Sequence, residues 1–356
     1  MKFGTRNTMM RVVLATLAAT TLIAGAALAD SNVTLTGAGA TFPYPIYSKW
    51  FDMYHTATGV KINYQSIGSG GGIQQVKVGT VDFGASDAAL SNQRLKEMPR
   101  EVLHFPTVAG AVVLAYNLPD VEGTIQLTPE VITGIYLGKI TMWNDKAIAA
   151  ANPAMSLPVA PILPIHRSDG SGTTNIFTTY LSAVNRSWKE LVGANTSVSW
   201  PVGIGGKGNE GVAGLVRQTP GSIGYVELAY AKQNKFTVAK VKNSSGNFIE
   251  PTLASTTAAA QGAASALAKD VRTPIVNSPA ADAYPISGLT FLLIYRDQKD
   301  PAKAKALAEF IRWANSEGQD VAETLDYARL PQQVVKVNQS SLMLLRVGGK
   351  PVLASQ

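Results

Sequence analysis

Four times along this chain a run of glycine and small hydroxyl-bearing residues stands where a strand-like stretch or a turn hands over to a helix-like one. This repeated junction constrains the fold more than any other feature. The runs are Gly37-Ala38-Gly39-Ala40-Thr41-Phe42, Ser66-Ile67-Gly68-Ser69-Gly70-Gly71-Gly72, Ala85-Ser86-Asp87 and Arg167 to Thr173. Around them the two periodicities alternate. Val60-Lys61-Ile62-Asn63-Tyr64 alternates as a strand does, whereas Ile46, Trp50, Met53 and Tyr54 fall on one helix face after the start signal Thr41-Phe42-Pro43. Val81 to Ala85 predicts a short strand ending near Asp87, and Phe105 to Tyr116 a long buried one. Ile162 to Ile165 predicts another, followed by a helix from Thr173 or Thr174 towards Val184. Near the C-terminus Asp300 and Pro301 read as the N-cap and first residue of a helix that carries Leu307, Ile311 and Ala314 on one face and ends at Gly318. Leu253 to Ala268, rich in Ala, Ser and Thr, reads as a surface helix interrupted by Gly262. Such alternation predicts an α/β architecture with largely parallel sheets.

The first 29 residues read as a secretory signal. Lys2, Arg6 and Arg11 lead an apolar run from Val12 that closes on Ala27-Leu28-Ala29, with cleavage expected after Ala29. An uncleaved anchor is the alternative, disfavoured by Thr16, Thr20 and Thr21 within the run. Cleavage would leave about 327 residues with a net charge of about +4, long enough for two lobes rather than one core. The chain has no cysteine. It therefore holds no disulfide, thiol nucleophile, Cys-ligated metal or lipid-acceptor cysteine, and a soluble periplasmic protein is the expectation. No basic stripe marks a nucleic-acid partner, but a mild positive balance favours a small anion.

The residue types in the four runs suit such an anion. Free N–H groups at a helix start and the positive end of its dipole attract negative charge, and glycine lets the backbone come close. Taken singly each run has a plainer reading. Thr41 and Ser69 could be N-caps, Asp87 could cap a helix beginning near Leu90, and Asp169 could be a turn residue before Gly170 or the partner that orients Arg167.

Together with Gly205-Gly206-Lys207-Gly208-Asn209 and Gly224-Tyr225-Val226-Glu227, these runs make the chain resemble the periplasmic phosphate-binding proteins of high-affinity phosphate ABC transporters. The resemblance covers nearly the whole mature sequence. It implies a two-lobed, type II-like periplasmic-binding-protein fold, each lobe a mainly parallel sheet flanked by helices, with a two-strand hinge. The lobes would be residues 30–114 plus 291–356, and residues 115–290. It also implies a phosphate site made by Thr41, Phe42 (through its amide), Ser69, Asp87, Arg167, Ser171, Gly172 and Thr173. Gly70 departs from the serine frequent at that place. Implied partners are inorganic phosphate and the transporter's membrane permease subunits; a monomer is expected, without cofactor, metal or nucleic acid.

Physical logic supports the choice of ligand. Phosphate near neutral pH keeps a proton, because its second ionisation lies about a unit above the ~6 of a phosphoryl ester. An ionised Asp87 can only accept, so it would take that proton and would repel fully ionised sulfate or molybdate. Arg167 supplies a permanently charged fork of donors. The rival readings are a secreted phosphatase-like enzyme or a binder of another oxyanion. Against the enzyme, neither Ser69 nor Ser171 falls in Gly-x-Ser-x-Gly, and of His55, His104 and His166 the base would have to be His166, beside Arg167. No His/Asp/Glu spacing suggests a metal, and no P-loop frame fits Gly205 to Gly208.

Overall fold

A computed structural model of the chain describes residues 1 and 33–353. The expected signal segment and its cleavage site after Ala29 therefore lie outside the described residues. Strand β1 (Thr34–Gly39) leads through the first glycine run into helix α1 (Tyr44–Thr58); β2 (Lys61–Ser66) leads into α2 (Ser69–Val78); and β3 (Phe83–Ser86) is followed by the short α3 (Asn92–Lys96). β4 (Val102–Tyr116) is fifteen residues long and nearly all buried. Its almost unbroken apolar sequence suits a strand covered on both faces.

The main sheet runs β2-β1-β3, then Ser287–Tyr295, then β4, then Ser222–Glu227, Leu163–Arg167 and Ile204–Gly206. It is parallel at its two wings, where β2-β1-β3 and the trio Ser222–Glu227, Leu163–Arg167, Ile204–Gly206 pair in one direction. The middle is antiparallel. β4 pairs with Ser287–Tyr295 through its first ten residues and with Ser222–Glu227 from Val112 onward, so it belongs to both wings. The wings are thus parallel, as a mainly parallel sheet requires, and two antiparallel strands join them. A register shift between Thr290 and Phe291 bends the join.

Aromatic side chains fix α1 on the first wing. Tyr47, Trp50, Phe51 and Tyr54 pack against Tyr64, Phe83, Phe310 and Trp313. Each such burial contributes roughly 1.5–3 kcal/mol. The helix from Pro301 is capped by Asp300 as expected, but it stops at Ala314 rather than at Gly318. Gly318 lies inside the next helix, Glu317–Thr324. Its role is close approach: its carbonyl accepts from Trp50 Nε1 at 2.8 Å, and a Cβ there would stand 3.2 Å from that ring. The alanine-rich stretch forms two helices, Leu253–Gly262 and Ala264–Lys269, and buries Thr256, Ala259, Ala260 and Leu267 rather than lying wholly on the surface.

Candidate functional site

Parallel pairing brings the glycine runs together at one edge. Gly39 of β1 stands opposite Ser66 of β2 and Ala85 of β3, so all three chains leave their strands at the same level. Gly39 adopts φ +145°, and a Cβ would lie 2.0 Å from the Ala85 carbonyl; a side chain would push the two runs apart. On the other wing, Leu163–Arg167 ends at the matching edge and hands over to the helix Gly172–Val184. Edges at the carboxyl ends of parallel strands are where open α/β sheets hold ligands.

The expected site residues all converge there and are buried. Thr41 is 3 % exposed, Arg167 3 %, Asp87 5 %, and Phe42, Ser69, Ser171 and Thr173 0 %. Ser69 Oγ accepts from the amides of Gly172, at 3.0 Å, and Asp87, at 3.2 Å, which ties the two wings directly. The two glycine loops also touch backbone to backbone: Gly70 N donates to Gly170 O at 2.8 Å. A Cβ on Gly70 would lie 3.0 Å from Gly170 Cα, so the departure from serine sits at a point of close approach. Ser171 caps its helix through Oγ, taking the Thr174 amide at 3.0 Å.

Arg167 is held by Asp169 in a two-point contact, Nε to Oδ1 at 2.8 Å and Nη2 to Oδ2 at 2.6 Å. The Gly208 amide donates to the same Oδ1 at 3.0 Å. Asp169 is therefore the orienting partner of Arg167. Burial raises its pKa, but the guanidinium and the Gly208 amide outweigh that and hold the carboxyl below its ordinary range.

Asp87 is the opposite case. Its Oδ1 is buried without a hydrogen-bond partner. Burial pushes its pKa up to about 7, against the pull of the Thr290 hydroxyl, the Arg167 charge and the Ser69 hydroxyl. Ser86 and Phe291 form the last pair of their antiparallel ladder, and Asp87 and Thr290 each stand one residue beyond it; Thr290 Oγ1 makes no hydrogen bond of ordinary geometry. Asp87 is not a helix cap. Ser91 caps α3, accepting from Arg94 N at 3.2 Å. Neither Thr41 nor Ser69 caps a helix either: the N-cap positions of α1 and α2 are Pro43 and Gly68.

Several contributors are not singled out by sequence. Asn209 contacts Thr41 and Thr173, and Tyr230 Oη donates to the Thr41 carbonyl at 2.7 Å. Tyr225 Oη accepts from the Arg167 amide at 3.0 Å. The Gly205 to Asn209 and Gly224 to Glu227 runs do signal Asn209 and Tyr225, but only as members of a motif with no role attached; Tyr230 sits in an ordinary apolar stretch. His166 projects from the strand oppositely to Arg167, as successive strand residues must, stacks on Trp200 at 4.8 Å and bonds the Arg167 carbonyl. His104 accepts from Leu90 N and is held neutral by burial, its pKa lowered to about 4. Among the described residues no group of three His, Asp or Glu side chains could hold a metal ion.

The chain matches the PBP superfamily domain over residues 24–317. It is 48 % identical over 306 residues to the phosphate-binding protein PstS of Xylella fastidiosa, covering 86 % of this chain and 84 % of that one. It is 46 % identical over 311 residues to PstS of Pasteurella multocida, covering 87 % and 90 %. Among solved structures it resembles a high affinity periplasmic phosphate-binding protein bound with phosphate, with TM-score 0.70 at 21 % identity, covering 89 % of this chain and 97 % of that one. It also resembles a phosphate binding protein from Stenotrophomonas maltophilia, with TM-score 0.67 at 19 % identity, covering 86 % and 93 %. At such identities the structural likeness carries the fold, which is two-lobed.

Proposed function

Because the chain belongs to the PBP superfamily and, within it, to the PstS phosphate-binding proteins, we propose that it captures inorganic phosphate between its lobes and delivers it to the membrane permease subunits of a phosphate ABC transporter. The observation that carries this reading is the setting of Asp87. One unpaired carboxylate oxygen lies buried among amides, hydroxyls and a guanidinium. Such a site would offer many donors and, at Asp87, an acceptor, the combination that suits an anion still carrying a proton.

In this reading Thr41, Ser69, Ser171 and Thr173 donate their hydroxyl protons, and Phe42 and Gly172 their amides. The Gly172 amide would be shared, since it already meets Ser69 Oγ. Arg167 gives its outer edge while Asp169 holds the inner one. Asp87 and a phosphate oxygen share one proton. With Asp87 poised near pH 7, that proton can arrive on either partner.

The lobe division proposed is 30–114 plus 291–356 against 115–290. Its two boundaries fall within β4 and within Ser287–Tyr295, the two antiparallel strands that join the wings. Ligand bonds from both lobes would stabilise the closed form, which is the form that docks on the permease. We further propose a monomer acting in the periplasm after removal of residues 1–29, with no catalytic activity. Calorimetric titration with phosphate, using sulfate as competitor, tests the proposal: tight phosphate binding with sulfate excluded is expected, and comparable affinities would overturn it. Release of phosphate from a phosphomonoester would instead favour the enzyme.

A further inference from the structure

We propose that Asn209 sets the polarity of the site by filling the lone pairs of Thr41 and Thr173, so that both hydroxyls must present protons to the ligand. The inference rests on the phosphate-binding reading and assigns the residue that makes the site a donor cage. Asn209 is wholly buried. Its amide orientation is fixed by the fold, because Oδ1 lies 2.9 Å from the Glu227 backbone N–H, a group that can only donate. Nδ2 therefore faces the other way and spends its two protons on Thr41 Oγ1 at 2.8 Å and Thr173 Oγ1 at 3.2 Å.

Each hydroxyl oxygen then receives a second donor. Thr41 Oγ1 takes the Asn209 backbone N–H at 3.2 Å, and Thr173 Oγ1 takes Arg167 Nη1 at 3.3 Å. A hydroxyl has two acceptor positions and one proton, so both threonines are left as donors. Ser69 reaches the same state independently, with the Asp87 and Gly172 amides on its oxygen. Since Nδ2 has no proton left for a ligand, Asn209 is a positioning residue that works through its neighbours. It also reaches across the lobes, joining Thr41 of one to Thr173 of the other.

Three proteins compared by calorimetry with phosphate test this: wild type, Asn209→Asp and Asn209→Leu. Aspartate keeps the shape and the bond to the Glu227 amide, but its second oxygen accepts; Thr41 and Thr173 would turn their protons to it and show lone pairs to the ligand. Leucine removes the donors without imposing an acceptor. The expected losses are about 10-fold for leucine and about 100-fold or more for aspartate. A residue that merely held the loops together would give the reverse order, because aspartate preserves more native bonds, and that order overturns the proposal. The same pair of variants made on Thr41→Val separates hydroxyl polarity from added charge. There the aspartate penalty should shrink about tenfold; an unchanged penalty assigns the effect to charge and overturns the proposal equally. Thermal unfolding without ligand checks folding, and Asn209→Ala replaces leucine should that variant not fold. Failure of the wild type itself to bind phosphate would defeat the functional reading instead, so the two failures are distinct.

Discussion

Asp87 and Asp169 carry the same carboxyl group beyond strands of opposite wings of the sheet, and the fold drives them in opposite directions. Asp169 receives three hydrogen bonds, two from Arg167 and one from the Gly208 amide, and its pKa falls. Asp87 has an oxygen with no partner, and its pKa rises to about 7. What differs is satisfaction rather than residue type. A carboxylate whose acceptor positions are filled by the protein serves the protein, fixing Arg167 and tempering its charge. One left open in a dry interior is held at a cost in stability that a proton-bearing ligand can offset.

The largest effect is expected at Asp169. Replacement by alanine would leave the Arg167 guanidinium, 1 % exposed at its side chain, without its counter-charge. Loss of one partner from a buried pair destabilises by about 3–5 kcal/mol. Denaturant unfolding should show it, and a loss under about 1 kcal/mol would mean that water or another group already balances Arg167.

At Asp87 the effect should fall on selectivity. The amide of an Asp87→Asn variant would offer donors where the ionised native carboxylate only accepts, so above about pH 7 the preference for phosphate over sulfate should narrow by about 10- to 100-fold, one buried bond's worth on each side. Paired titrations measure the ratio. If it does not move, the open oxygen has no part in discrimination.

The same variant sharpens the contrast through pH. A carboxyl whose folded pKa is raised favours folding while protonated. Asp87's contribution is therefore complete below about pH 4 and is lost as pH rises towards about 7. Glu227, wholly buried and raised well above its ordinary value mainly by burial, acts in the same sense. Without ligand, the melting temperature of Asp87→Asn relative to wild type should therefore climb by about 2–5 °C between pH 4.5 and pH 8. Saturating phosphate should reduce that rise, because the ligand's proton then occupies Asp87. A difference that stays flat with pH would place the titration elsewhere.

How much of this is legible in the sequence depends on whether a residue's role is local. The glycine runs, Asp300 with Pro301, and the strand and helix periodicities each act within a few residues, and they predict β2 to β4 and α1 closely, whereas β1 and α2, which flank the glycine runs, show no periodicity of their own. Gly318 misleads because a glycine after a helix reads as a stop, whereas this one is small for the sake of Trp50, more than 260 positions away. Asn209, Tyr230 and Thr290 reach the site through contacts that no spacing encodes. Asn209 stands in a recognisable glycine motif, yet only the Glu227 amide opposite its oxygen reveals which way its donors point. For Asp169 the sequence allows a turn residue and an orienting partner equally, and the Arg167 fork upon it decides between them.

The smallest expected effect separates Asp87 from the role its sequence position also allows. An aspartate just before a short helix reads as an N-cap, but the cap of α3 is Ser91, whose Oγ takes the Arg94 amide. Removing that oxygen with Ser91→Ala should cost about 1 kcal/mol or less of stability, since the bond is exposed and the helix only one turn long. Phosphate affinity and the phosphate-to-sulfate ratio should be untouched. Asp87→Asn should show the complementary pattern, with selectivity altered and the α3 amides as protected from hydrogen exchange as in wild type. Were Asp87→Asn to unprotect α3 while Ser91→Ala did not, the carboxylate would be the cap after all, and its unpaired oxygen would need another explanation than a ligand.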